Sequence, residues 1–200
     1  MSVRRHIEAQ SLILGCFSGN DTALLNRAEA LIELVPSLAT VVESIVDEVH
    51  LLVAETGYDV SHSEPRWRSK VFVSIPDRSD EVGALRFAEG VLHEAMHLEL
   101  TVLESQQPII ADPQGTMTSP WKDDPRPFGG VAHGLFVFTC LRAFFDELMS
   151  GDPKAAFGHI RLRINEIRAE TASIDLTKLQ RGLTPLGAKL AAAWRDRAMV

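Results

Sequence analysis

The residues best placed to do chemistry are His93-Glu94-Ala95-Met96-His97. Two histidines four positions apart project from one face of an α-helix, one turn above the other. Their imidazoles can therefore reach a single divalent ion at about 2.0–2.2 Å without bending the backbone. Glu94 follows His93 at about 100° round the helix, where its carboxylate can polarise a bound water, bind the ion or orient a ligand. Val91, Leu92, Leu98 and Leu100 flank the motif and put it on a buried helix edge. The plainer alternative is a pair of helix histidines satisfied by hydrogen bonds alone. Two imidazoles hold an ion weakly, so a third donor is required. The extended zincin pattern, with Gly and a third His soon after His97, is absent from Leu98 to Leu103. Glu147 on a later helix is a formal candidate. His133 is a stronger one, because it opens a long helix directly after Gly129-Gly130, where chains pack closely.

The elements that must position these groups are mostly helices. Apolar residues recur at helical spacing through 21–34, with Asn20 or Asp21 as cap, and again through 37–55 after Pro36. Tyr58 to Arg78 reads as extended chain, with a β-branched run Val71-Phe72-Val73-Ser74-Ile75 and a short strand segment near 68–76. Ser79-Asp80-Glu81 starts the motif helix, which runs to about Glu104. Gln106 to Gly130 is a long loop rich in proline and glycine, a length that in a compact domain is uncommon and usually functional or mobile. Helices follow at about 131–149, 154–171 and 176–197, the first two separated by Gly151-Asp152-Pro153. The expected fold is mainly α: a single-domain helical bundle over 1–200 with one short β segment.

Composition narrows the function classes. A hydrophobic fraction of 46% over 200 residues suffices for one core. The net charge of −7 argues against nucleic acid, whose phosphates need clustered Lys and Arg. No run of eighteen apolar residues and no signal peptide is read, the stretch Leu12 to Phe17 being too short, so no membrane partner and a cytoplasmic setting are expected. Cys16 and Cys140 are expected as free thiols.

The ordered set Asp59-Val60-Ser61-His62-Ser63-Glu64-Pro65, His93-Glu94-Ala95-Met96-His97, Ser119-Pro120-Trp121-Lys122-Asp123-Asp124-Pro125-Arg126-Pro127 and His133-Gly134 resembles the HExxH-type peptide-modification proteins. These are iron- and 2-oxoglutarate-dependent peptide β-hydroxylases that mature ribosomally made peptides. The resemblance covers about 58–148. It implies an iron(II) site held by His93, His97 and His133, with 2-oxoglutarate as co-substrate, dioxygen as oxidant and a precursor peptide as substrate. Three neutral imidazoles depart from the commoner two-histidine, one-carboxylate set, so Glu94 stays open as a ligand. A dicarboxylate also needs a cation, and an arginine fork pairs with it bidentately. Arg126, held between Pro125 and Pro127 shortly before His133, is the candidate anchor, and Trp121 the candidate pocket wall.

Other residues read as less committed. Ser61, His62 and Ser63 could line the site from the extended segment. His50 reads as structural on a helix, while His6 and His159 lack suggestive neighbours. Phe136, Phe138, Phe144 and Phe145 read as core, as does Cys140. The rival function is a zinc peptidase with Glu94 as general base. Such enzymes usually set the metal helix beneath a substrate-docking sheet, and only Val71 to Ile75 reads as strand. A metal-free helical interaction module is the third class.

Overall fold

The computed structural model describes residues 3–16, 19–67, 69–151 and 156–200. It is mainly helical, with 63% helix, a small mixed four-stranded sheet and a separate hairpin. The elements run α1 (Val3–Ala9), β1 (Ile13–Leu14), α2 (Gly19–Glu33), α3 (Pro36–Ile45), β2 (Glu48–Val53), β3 (Ser61–Ser63), a 3-10 turn (Pro65–Trp67) and β4 (Lys70–Ser74). Then come α4 (Glu81–Gln106), β5 (Thr116–Ser119), β6 (Lys122–Pro127), α5 (Phe128–Ser150), α6 (Phe157–Ala172), α7 (Leu176–Arg181) and α8 (Pro185–Met199). Phe17, Arg68, Asp152, Pro153 and Lys154, which figure at predicted boundaries, lie outside the described residues.

The sheet order is β1-β2-β4-β3, with β2 and β4 parallel and both outer pairs antiparallel. Strand β4 explains why it forms. Val71 and Val73 point into the main core with α4, while Phe72 points the other way onto Ile7 of α1 and Leu52 of β2. A strand buried on both faces reads as a continuous apolar run, which is what Val71-Phe72-Val73 is.

The second predicted helix, 37–55, is corrected. Helix α3 stops at Ile45, and Glu48–Val53 forms β2 instead. Helical periodicity was present there, but Leu51 and Leu52 bury on opposite faces beside β4, and sheet pairing wins over local propensity. His50 therefore sits on a strand, stacked on Phe72. The last predicted helix also divides. Gly182 ends α7, and Thr184 caps α8 by accepting from Gly187 N at 3.1 Å, with Pro185 in the first turn. The long loop 106–130 holds the β5–β6 hairpin.

Helix α4 begins at Asp80, whose side chain accepts from Gly83 N at 3.0 Å. Gly90 then lets α4 approach the sheet: a Cβ there would stand 2.7 Å from Val73 Cγ1. On its other side α4 packs against Val137, Leu141, Phe144 and Phe145 of α5. Helix α5 has length and hydropathy enough to cross a membrane, but here it is the central core helix, with 61% of its most apolar window buried. A second apolar cluster joins Met117 of β5 and Phe128, Val131 and Leu135 of α5 to Leu179 and Ala191. That cluster anchors the hairpin against the start of α5.

Candidate active site

The motif helix, the edge of the sheet, the hairpin and the start of α5 enclose one cavity of about 800 Å3. His93, Glu94 and His97 reach it from α4, His133 from α5, Arg126 from β6 and Trp121 from the hairpin turn. All six residues singled out in the sequence thus line one space. Ser61, His62 and Ser63 of β3 line it too. Glu147 does not; it borders a separate cavity with Arg27 and Glu81, which removes it as a third donor.

The histidines form a row. The ring centroids of His93 and His97 lie 4.9 Å apart, and those of His97 and His133 lie 5.6 Å apart with nearly parallel planes. His97 Nδ1 and His133 Nδ1 approach to 3.4 Å. That separation is a long N–H···N contact between the rings, and it is also close to the spacing of two nitrogens held at about 2.1 Å from one ion at the tetrahedral angle. His133 Nε2 lies 2.9 Å from Glu104 Oε2. In its neutral form the ring donates Nε2–H to that carboxylate and keeps the Nδ1 lone pair on the side of His97, the arrangement that orients metal-binding imidazoles. His93 meets both His97 and Phe138 edge-on. Among the described residues no three His, Cys, Asp or Glu side chains close on a common point as they stand. The fit to a metal is therefore that of a formed pair with a third imidazole in the same cavity.

Burial keeps the two α4 rings neutral. It holds His97 down at about 4, with His93 adding to the effect, and holds His93 at about 4, with the positive charge of Arg163 adding to it. Neutral imidazole is the ligating form.

Glu94 faces the sheet. Only 5% exposed, it accepts from Ser61 Oγ through Oε1 and from Ser63 Oγ through Oε2, each at 2.6 Å. Alternation along β3 produces this, since residues two apart in a strand share a face. The carboxylate thus clamps the edge strand to the motif helix.

Trp121 stacks on Phe138 with centroids 4.9 Å apart and donates its indole N–H to Glu170 Oε2 at 3.0 Å. Gly134 makes room for it, because a Cβ there would stand 2.3 Å from the indole. Phe138 is thus a wall of the cavity, whereas Phe144 and Phe145 are core as expected.

Behind His93 a smaller cavity of about 320 Å3 holds Arg86 and Arg163. Both are engaged: Arg86 with Asp59 and Asp77, Arg163 with Glu89 and Glu166. Lys122 and Arg126, by contrast, line the large cavity and make no ion pair among the described residues. Sequence reasoning missed the roles of Glu104 and Lys122. A glutamate near the helix end, seven residues after His97, is a detectable signal for the first; an alternating cation in the hairpin is one for the second.

No protein-family model matches the chain, and no curated protein gives a significant match.

Proposed function

We propose that the cavity is a non-haem iron(II) site that hydroxylates a peptide side chain at its β-carbon with 2-oxoglutarate as co-substrate. The observation carrying this reading is the meeting of His93, His97 and His133 in one cavity with Arg126 and Lys122, which make no ion pair among the described residues. Iron(II), 2-oxoglutarate and dioxygen together supply the hydroxylating chemistry, with succinate and carbon dioxide as co-products. His97 and His133 would hold the ion, and His93 would complete the set after turning about its side-chain bonds. Glu104 keeps His133 oriented. Arg126, aided by Lys122, would pair with the distal carboxylate. Trp121 and Phe138 exclude water from one wall. The co-substrate and the substrate class of this reading are taken from the resemblance to the peptide-modification proteins.

A zinc peptidase is the second reading, and one observation favours it. Helix α4 lies against a four-stranded sheet whose edge borders the cavity, the support that only Val71 to Ile75 suggested in the sequence. Glu94 weighs against it. A general base must be aimed at the metal-bound water, whereas the two serine hydroxyls hold the carboxylate of Glu94 toward β3.

Anaerobic titration with iron(II) and 2-oxoglutarate tests the proposal. One iron per chain and the visible charge-transfer band of an iron–keto-acid chelate are expected, both lost in His133→Ala. Tight zinc, no such band, and casein cleavage abolished by Glu94→Gln would establish the peptidase instead.

A further inference from the structure

Strand β3 ends the sheet, and its pairing fixes where its backbone groups point. Ser74 N donates to Val60 O at 2.8 Å while Val60 N donates to Ser74 Oγ at 2.9 Å, so residues 60 and 74 stand at the hydrogen-bonded kind of antiparallel position. Such pairs alternate along an antiparallel ladder. With the register Ser61↔Val73, His62↔Phe72 and Ser63↔Val71, the next bonded pair is His62 with Phe72. The N–H and C=O of Ser61 and of Ser63 therefore point away from β4. No strand among the described residues pairs with them on that side. Ser61 and Ser63 line the cavity, about 800 Å3 in volume, which Trp121 and Lys122 of the hairpin also line.

An exposed edge with unpaired donors and acceptors is a template for another strand. Proteins usually protect such edges; here the edge is left open at the histidine site and fixed in place by the Glu94 clamp. We infer that β3 is a peptide-docking edge: an extended peptide segment pairs with the backbone of Ser61 and Ser63, adding a fifth strand in the cavity. The complementarity is specific. Four backbone groups, two donors and two acceptors, are offered in the spacing of alternate residues, and a peptide in β conformation presents the matching set. Because Ser61 and Ser63 direct their side chains toward α4, a peptide residue beside them that shares their face directs its side chain toward the same helix. The intervening peptide residues face the His62 side. Side chains at alternate positions would thus reach the histidines while the backbone stays held.

This deepens the proposed function and rests on it for the peptide nature of the substrate, but needs neither metal nor oxygenase chemistry. The test therefore uses the full chain with chelator present. A phage-displayed library of random linear twelve-residue peptides is selected on the protein, and the selected peptides are resynthesised with a single N-methyl group at each position in turn. N-methylation at alternate positions is expected to weaken binding more than tenfold, with little effect between them. Amide hydrogen exchange gives a second readout. In the free protein Ser61 and Ser63 should exchange at least tenfold faster than His62, and bound peptide should slow both at least tenfold. Failure to select any peptide, a scan without alternation, or unchanged exchange at Ser61 and Ser63 overturns the inference. Loss of the iron–keto-acid band with alternation intact would instead strike only the oxygenase reading.

Discussion

Replacing Glu94 separates a structural clamp from a catalytic base. Its side chain is 5% exposed and accepts two hydroxyl hydrogen bonds, each at 2.6 Å. A hydrogen bond to a carboxylate contributes about 1.5–3 kcal/mol when removal leaves its partner unpaired. Ser61 and Ser63 are partly exposed and can recover some hydration, so about 1–1.5 kcal/mol is the reasonable loss for each. Glu94→Ala should then cost about 2–3 kcal/mol, which for a chain of this size lowers Tm by roughly 4–12 °C. Glu94→Gln keeps one carbonyl acceptor and offers an amide N–H to the other hydroxyl, which can rotate to accept it, so it should cost about 1 kcal/mol or less. The triple variant Ser61→Ala, Ser63→Ala, Glu94→Ala should be much less destabilised than the sum of its parts, because the three side chains act as a unit. Thermal unfolding by circular dichroism with chelator present measures these differences free of metal. Equal stability of Glu94→Ala and the parent would refute the clamp. So would a Glu94→Gln protein with unchanged Tm that had lost its metal, since that would make the carboxylate a ligand.

Four further outcomes follow from the geometry. Glu104→Ala removes the carboxylate that orients His133 and should weaken metal binding about 10–100-fold with little change in fold, read by competition with a chromophoric chelator. Gly134→Ala drives a methyl group into Trp121; loss of its stacking and of the Glu170 hydrogen bond should cost about 1–3 kcal/mol and shift the indole fluorescence, and unchanged emission would contradict the packing. With chelator present, His93 and His97 titrate at about 4 when folded but near 6.5 when unfolded, so the unfolded chain binds more protons between those values. Stability should therefore fall by a few kcal/mol as pH drops from about 6.5 to about 4 and stay flat above about 7; equal urea midpoints at pH 7.5 and 5 would refute this. Burial pushes the Cys140 thiol up to about 12, whereas Cys16 is exposed, so one of the two thiols should react quickly with an aromatic disulfide at pH 8 and the other only on unfolding.

The legible parts of the site were those written in short-range spacing. His93, Glu94 and His97 share a helix, and their joint presentation follows from 3.6 residues per turn. His133 was legible less directly, from Gly129-Gly130 before it and Gly134 after it, and the structure gives Gly134 a cause in the indole of Trp121. What could not be read was pairing across the chain. The Glu94 clamp depends on β3 lying over α4, and nothing local in Ser61-His62-Ser63 states its partner. The same holds for β2: Glu48–Val53 carries enough helical period to pass as helix, and β4 and β1 on either side make it a strand. Glu104 was overlooked because its spacing of seven from His97 gains meaning only once His133 is known to meet it.

The distribution of charge supports a division of labour within the cavity. Arg86 and Arg163 are each enclosed by two carboxylates, so the back wall behind His93 carries cations but offers no anion site. On the hairpin side the reverse holds: Arg126 and Lys122 are exposed, without ion pairs among the described residues, and supported by a strand whose partner Met117 is anchored in the core. Between these lie two imidazoles kept neutral by burial. A ligand with one metal-binding end and one anionic end would meet these features in order, dry histidines first and solvated cations last. A neutral ligand gains nothing from the hairpin cations. If this ordering governs binding, Arg126→Ala with Lys122→Ala should raise the concentration of 2-oxoglutarate needed for the charge-transfer band at least tenfold. Pyruvate, which shares the keto-acid end but lacks the second carboxylate, should bind both proteins alike. Equal loss for the two acids would place the cations in service of the metal end and undo the assignment.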